Sequence, residues 1–543
     1  MHIAREFGTA AGVGGVKDVT WGLSRATADL GIRTHMFLPY YRKVDSFLKK
    51  ESLQIHTCHS FVLDMNYGSH IRKEAVEILS CEFQKNLWLY LIKARPFRYL
   101  AEEPTRKIER HGIYQYTSAE AEALGNPSLE GSGYSDAFAQ NVLMVKATLR
   151  TLGKIAWRPD VVHCHDGHAA LFPLIAQTSS EGFAAYLAHV PTLITIHNAG
   201  KGYHQETDSL EYAQAICGIQ AEHAQEICKA CTLDGLFDPL LAAGLFGTAI
   251  NTVSENYARE LCTTGLDATS GWLGHALAGL GITLLGITNG IDVDSYHPEK
   301  NCQLGLPRPF PNDAGNWAGK EQCKQVILDG FDVFPLSEDV RKFGSLSYEK
   351  DIPLFTFVGR LTAQKGFDAL CGVFKKLLDE GTKIQLLGLG TGDMSIIKKY
   401  EELAGHYPGS VCFINGFSGK FANRVYAAGD FFLIPSRFEP CGLTDFIAQI
   451  MGNIPIVHQV GGLVKTLDNN FGYAYLGGEE ELLDTIKRAI KDYREPGKKR
   501  LRKIQKNALK NIQENFTWEK VLEKKYLPLY EKIIEEVKPA LPY

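Results

Sequence analysis

A chain of 543 residues is long for one domain, and its 45% apolar and 22% charged residues are those of an ordinary globular protein. The formal charge of −4 gives no strong global field, so neither nucleic acid nor an anionic membrane is an expected partner. Its twelve cysteines are scattered along the chain, which suits reduced thiols, and MHIAREFGTA lacks the basic and apolar run of a signal peptide; a cytoplasmic setting is expected.

The opening strand leads into AGVGGVKDV (11–19) and then a helix, WGLSRATADLG. Glycines 12, 14 and 15 let backbone approach a phosphate, and the first amides of the helix would face it. This is not the dinucleotide fingerprint. Lys17 stands where G-x-G-x-x-G needs its third glycine, and the second strand, THMFLPYYRK, ends without the ribose-binding acid. DVVHCHD (160–166), PTLITIHN (191–198) and TAINTVSEN (248–256) read as strands, each running into polar residues at the end where open α/β sheets bind ligands. GWLGHALAGLGITLLGIT (271–288) carries five glycines and a histidine and reads as a buried strand with flanking loops, not a membrane span.

Residues 297–350 are rich in Pro, Gly, Asn and Asp, with PRPFPNDAGN (307–316) the strongest loop signal, and mark an inter-domain boundary. From 351 the rhythm resumes with PLFTFVGR, TKIQLLGLG, SVCFING, DFFLIPS and NIPIVHQ. The fold class expected is α/β, with two doubly wound, Rossmann-like domains facing a deep cleft. The divisions are 1–300, a connection at 301–350, 351–515, and a closing helix over 516–543 that crosses back. REPGKKRLRKIQKNALK (494–510) is strongly basic and reads as a solvated helix face.

VVHCHDGHAAL (161–171) poses a choice between metal and sugar. Histidines at i and i+2 on a strand can share a zinc ion. The binuclear hydrolase pattern H-x-H-x-D-H, however, has its acid one place later than Asp166, and one residue of slip turns the carboxylate to the other face of the strand. Cys228 and Cys231 form a lone C-x-x-C without a second pair. The other reading is a strand end that offers neutral donors and acceptors to hydroxyl groups.

LLGLGTGDM (386–394) is a second glycine turn, through Gly390, and lacks the Lys-Ser/Thr of a P-loop. In VGRLTAQKG (358–366), Arg360 and Lys365 are placed to receive the charge of a departing diphosphate. In PSRFEPCGLT (435–444), Glu439 is followed by Cys441 and Gly442, which open a helix. An acid beside two cations suits the orientation of a neutral, polyhydroxylated substrate.

Together these stretches resemble the starch/glycogen synthases of the bacterial and plastid type, glycosyltransferases of family 5 with the GT-B fold. GVGGVKDV is similar to K-x-G-G-L-x-D-V, and VVHCHDGHAAL to H-x-H-D-W-H-A-A-L. TIHN (195–198), TVSENYARE (252–260), GITNGIDVDSYHP (286–298), QVGGLVKT (459–466) and FTWEK (516–520) extend the match over most of the chain. The resemblance implies a retaining, metal-independent transfer of glucose from ADP-glucose, or UDP-glucose, to an α-1,4-glucan, without a cofactor. It implies that Arg360, Lys365 and the Gly14–Gly15 amides stabilise the diphosphate. Glu439 would lie at the glucose, with Cys441, Gly442, Leu443 and Thr444 lining the donor pocket. Phe417 would stack on the base, and His168 would reach the 6-hydroxyl, leaving His163 and His165 structural. Two departures are Gly12 at the family's lysine and Gly167 at its tryptophan, the latter expected to open space beside the site. The competing readings are a zinc-dependent hydrolase built on His163–His168 and a catalytically silent glucan-binding regulator.

Overall fold

The computed structural model describes all residues except 104–105, 221, 301, 313–316, 331–339, 417 and 538–543. It divides into two compact units. One comprises Met1–Gly290 with the segment from Trp518, and the other Ile291–Thr517.

Among the described residues, unit 1 is built on a nine-stranded sheet. In chain order its strands are β1 (His2–Ile3), β2 (Thr34–Pro39), β3 (His56–Asn66), β4 (Ile71–Gln84), β5 (Leu87–Ala94), β6 (Val162–His165), β7 (Thr192–Ile196), β8 (Ala249–Thr252) and β9 (Leu284–Gly286). The spatial order is β9-β8-β7-β6-β1-β2-β5-β4-β3. From β9 to β5 every pairing is parallel, and β3 and β4 add an antiparallel hairpin at one edge. The central strands are buried on both faces, as parallel strands covered by helices must be.

The run 271–288 is a helix over Leu273–Gly279 followed by the short strand β9, so its first half is helical rather than loop. The closing segment, helical from Trp518 to Val537, packs on unit 1. Trp518 lies where Gly22 and Gly290 leave room: a Cβ on Gly22 would sit 2.0 Å from the indole Nε1.

Unit 2 carries β10 (Arg341–Gly344), β11 (Leu354–Val358), β12 (Gln385–Gly390), β13 (Val411–Asn415), β14 (Phe431–Ile434), β15 (Ile454–His458) and β16 (Tyr473–Tyr475). They are ordered β10-β13-β12-β11-β14-β15-β16, with β10 alone antiparallel. The order reverses beside β11, so the loops after β11, β12 and β14 come together at a topological switch point. Hydrophobic clusters cover the sheet, one of them around Phe355, Phe357 and Phe431. All twelve cysteines are free thiols, and no described helix is long and apolar enough to cross a membrane.

Candidate active site

In unit 1, β1 ends at Ile3, and Arg5 and Glu6 follow within the core. Arg5 donates to Tyr41 Oη (2.7 Å), Asn141 Oδ1 (3.1 Å), Gln140 Oε1 (2.8 Å) and the Ile113 carbonyl (2.8 Å). Those bonds satisfy a guanidinium that is almost fully buried. Glu6 Oε2 accepts the amides of Val13 (2.7 Å) and Gly14 (3.0 Å), and Oε1 accepts Tyr114 Oη–H (2.9 Å). The glycine turn therefore closes on its own strand-end carboxylate. Gly14 N–H is committed to Glu6, while nothing lies within 4 Å of the Cβ position of Gly15. Lys17 folds back over Gly12, its Cδ 2.3 Å from where a Cβ would stand, and its Nζ pairs with Asp18 (2.7 Å).

The histidine strand end resolves residue by residue. Thr195 Oγ1 donates to Asn251 Oδ1 (2.7 Å), so its bond with His163 Nε2 (2.6 Å) takes the proton from the imidazole. Nδ1 of that neutral ring then accepts from Tyr530 Oη (2.8 Å), on the closing helix. His165 bonds His2 through Nε2 (3.2 Å) and His197 through Nδ1 (3.0 Å). Nitrogens of His2, His163 and His165 do lie within 4.8 Å of one another, close enough for a metal. Both nitrogens of His163 and of His165 are nevertheless already engaged, and a metal would have to break the ties that hold β6 to β7, to β1 and to the closing helix. Burial holds His2, His163, His165 and His168 well below the usual histidine range and pushes His197 down to about 3.

His168 differs from its neighbours. It stacks on Tyr114 at 4.8 Å, and among the described residues neither ring nitrogen has a hydrogen-bond partner. It is thus a neutral imidazole with both nitrogens available. The adjoining Asp166 adopts φ +56° and accepts the His197 amide (2.7 Å); burial pushes its carboxyl up to about 7. Gly167 does not open space. A Cβ there would stand 2.2 Å from the His204 carbonyl oxygen, so backbone already fills the volume of the family's tryptophan. His204 is itself anchored by Asp238 (2.6 Å) and the Ala199 carbonyl (2.8 Å).

In unit 2, the loop after β11 is laced to the loop after β14. Arg437 N–H donates to the Gln364 carbonyl (2.8 Å), and Gln364 Nε2 donates to the Phe438 carbonyl (3.2 Å). Gly366, at φ +70°, lets the Pro435 carbonyl come to 2.0 Å from its absent Cβ. The lacing brings Lys365 Nζ to 2.5 Å from Glu439 Oε2, which also accepts Ser436 Oγ–H (3.0 Å). Arg360 is exposed and, among the described residues, carries no ion pair. Gly390 is explained by packing, since the Gly359 carbonyl stands 2.1 Å from its Cβ position. Cys441, Gly442, Leu443 and Thr444 lead from Glu439 into the helix Thr444–Ile450. Phe417 lies outside the described residues.

Sequence reasoning passed over Arg5, Glu6 and Tyr114, although two opposite charges directly after a first strand are a usable signal. It also passed over Lys465, which lies in a stretch that was matched to the family without being singled out.

Two parallel-cored α/β units, with Lys365 and Glu439 meeting at a switch point of unit 2, are the architecture of the GT-B class of glycosyltransferases. Residues 1–276 match the starch synthase catalytic domain family, and residues 340–511 match the glycosyl transferases group 1 family. The chain belongs to the starch synthase catalytic domain family, the group that holds the glycogen and starch synthases. It is 27% identical over 549 residues to the glycogen synthase of Syntrophotalea carbinolica, covering 98% of each chain. It is 29% identical over 498 residues to that of Geobacillus stearothermophilus, covering 89% of this chain and 88% of that one. The fold matches the catalytic domain of starch synthase IV from Arabidopsis thaliana, solved with ADP and acarbose. That match has a TM-score of 0.75 and 23% identity over 98% of this chain and 99% of the other.

Proposed function

We propose that the chain is a retaining glucosyltransferase that moves glucose from ADP-glucose to the non-reducing end of an α-1,4-glucan. The observation that carries the reading is the Lys365–Glu439 contact of 2.5 Å at the switch point of unit 2, on the loop that also carries the exposed Arg360. When the glucose–phosphate bond breaks, negative charge gathers on the departing diphosphate. Lys365, held on Glu439, is a pre-organised cation for that charge, and the exposed Arg360 is a second cation on the same loop that is free to swing to it. Glu439 lies one ion pair away and is assigned to orienting the glucose and balancing an oxocarbenium-like centre. Cys441 to Thr444 line the donor. In unit 1, His168 offers neutral ring nitrogens to a sugar hydroxyl, and Gly15 offers an uncrowded backbone position. Gly14, held by Glu6, shapes the turn instead of donating to the phosphate.

The test is release of nucleotide from ADP-glucose and from UDP-glucose in the presence of glycogen. ADP-glucose is expected to be the better donor. EDTA should leave the rate unchanged, because no step is routed through a metal. Lys365→Ala should lower turnover by roughly 10²-fold. A variant within a few-fold of the parent removes Lys365 from the mechanism, and loss of activity with the chelator revives the histidine cluster as a metal site.

A further inference from the structure

The groups that hold Glu439 lead to a lysine outside the assigned set. Lys465 ends the turn Gly461–Lys465, which follows β15. Its Nζ donates to the carbonyls of Cys441 (2.6 Å), Gly442 (2.6 Å) and Gly462 (3.1 Å), and lies 3.0 Å from Asp445 Oδ2. The Phe446 ring centroid is 4.6 Å away. The side chain is 8% exposed and that of Asp445 is fully buried. Asp445 has a second tie, accepting Thr466 Oγ1–H at 2.9 Å.

The same turn grips Glu439 through backbone. Gly462 N–H donates to the Glu439 carbonyl (2.9 Å). Gly461, at φ +50°, has that oxygen 1.9 Å from its Cβ position, so any side chain there would push the two loops apart. The peptide unit is planar and trans, so each amide N–H points opposite to the carbonyl that precedes it. The Cys441 and Gly442 carbonyls converge on Nζ, which turns the Gly442 and Leu443 N–H groups away from it. Neither N–H has an acceptor among the described residues.

We propose that Lys465 is a positioning residue for glucosyl transfer, fixing Glu439 and the outward Gly442 and Leu443 amides as one rigid piece. It touches no substrate atom. It holds three carbonyls of two loops on one buried ammonium, so the acid and the two amides keep their spacing as charge develops on the donor. The inference rests on the reading that Glu439 faces the transferred glucose.

The test pairs Lys465→Met with Asp445→Leu, so that removing the ammonium does not leave a buried carboxylate unpaired. Lys465→Met alone serves if the double variant does not fold. In folded protein, with thermal unfolding and circular dichroism as checks, turnover at saturating ADP-glucose should fall at least tenfold. The KM for glycogen should stay within twofold. Loss of stability alone would lower the active fraction and leave the rate per folded molecule intact. A folded variant with turnover within twofold of the parent overturns the proposal. Glu439→Gln, measured in parallel, separates the two levels. If it is inactive and the Lys465 variant is not, only the positioning role fails; if it is fully active, the reading of the site fails with it.

Discussion

Acidification should destabilise unit 1, and Asp166 should blunt the effect. His197 is held near 3 in the folded chain, against 6.5 when free. A base with a depressed folded value gives full stability above 6.5 and loses it as pH falls from there towards 3. At pH 5 this one imidazole costs about 2 kcal/mol, taking 1.36 kcal/mol per pH unit. Asp166 acts the other way, its carboxyl raised from 3.8 to about 7. It stays protonated in the fold where the unfolded chain has ionised, so the stability it adds is present at low pH and lost as pH rises through 7. Going from pH 7.5 to 5 it returns about 2.5 kcal/mol. These two roughly cancel, and the sign is set by His2, His163, His165 and His168, all depressed by burial. The assay is urea unfolding at pH 7.5 and 5, pulse-labelled with deuterium at one common pH. Midpoints are read separately from peptides covering β6 and β12. The β6 midpoint should drop on acidification, and in Asp166→Asn the corresponding unfolding free energy should fall further, by about 2.5 kcal/mol. Asparagine tolerates the left-handed backbone there. A β6 stability that is flat with pH refutes the assignment of neutral, buried imidazoles, and an Asp166→Asn profile parallel to the parent's refutes the protonated Asp166.

Three substitutions test the packing that sets the site. Gly167→Ala drives a methyl against the His204 carbonyl and should destabilise unit 1 by about 1–3 kcal/mol, read as a lowered urea midpoint. Trp518→Ala empties the seat formed by Gly22 and Gly290; a loss of about 3–5 kcal/mol and faster proteolysis of the closing segment are expected. Gly366→Ala combines a positive φ with a 2.0 Å approach to the Pro435 carbonyl, so it should displace Lys365 and lower turnover by roughly 10²-fold.

Local pattern carried the sequence reading where the physics is local. Apolar runs ending in polar residues located β6, β7, β8, β11 and β14, because a parallel strand buried on both faces has little choice of residue. The one-residue offset of Asp166 separated the histidine cluster from a hydrolase signature; in the fold, nitrogens of His2, His163 and His165 come within metal-binding range, while those of His163 and His165 are engaged by protein partners. The edge hairpin β3–β4 was less legible, since HTCHSFVLDMN places His, Ser and Asp on an open face and its alternation is weak. The charges Arg5 and Glu6 after the first strand were a usable signal, but the Glu6 grip on the glycine turn and the Lys465 tether could not be read from it. Each joins segments through contacts that no spacing rule encodes.

Glycine shows where such reading misleads. A glycine near a ligand-binding strand end is usually taken as room for the ligand. Here Gly167, Gly366, Gly390 and Gly461 each have a carbonyl of another loop within 2.2 Å of the Cβ position, so the volume is taken by the chain itself. Their service to the chemistry is indirect but strong. The close approach at Gly366 laces the Lys365 loop to the Glu439 loop, and the one at Gly461 seats Glu439 on the turn that Lys465 ends. A flexible lysine and a glutamate on separate loops would meet only part of the time if those loops drifted, and an exposed pair adds little by itself. Backbone contacts that admit no side chain remove the drift, and the 2.5 Å contact follows from them. The Lys365 charge that would receive the diphosphate is therefore positioned before any donor arrives, which is the condition under which electrostatic stabilisation costs least at the moment of reaction.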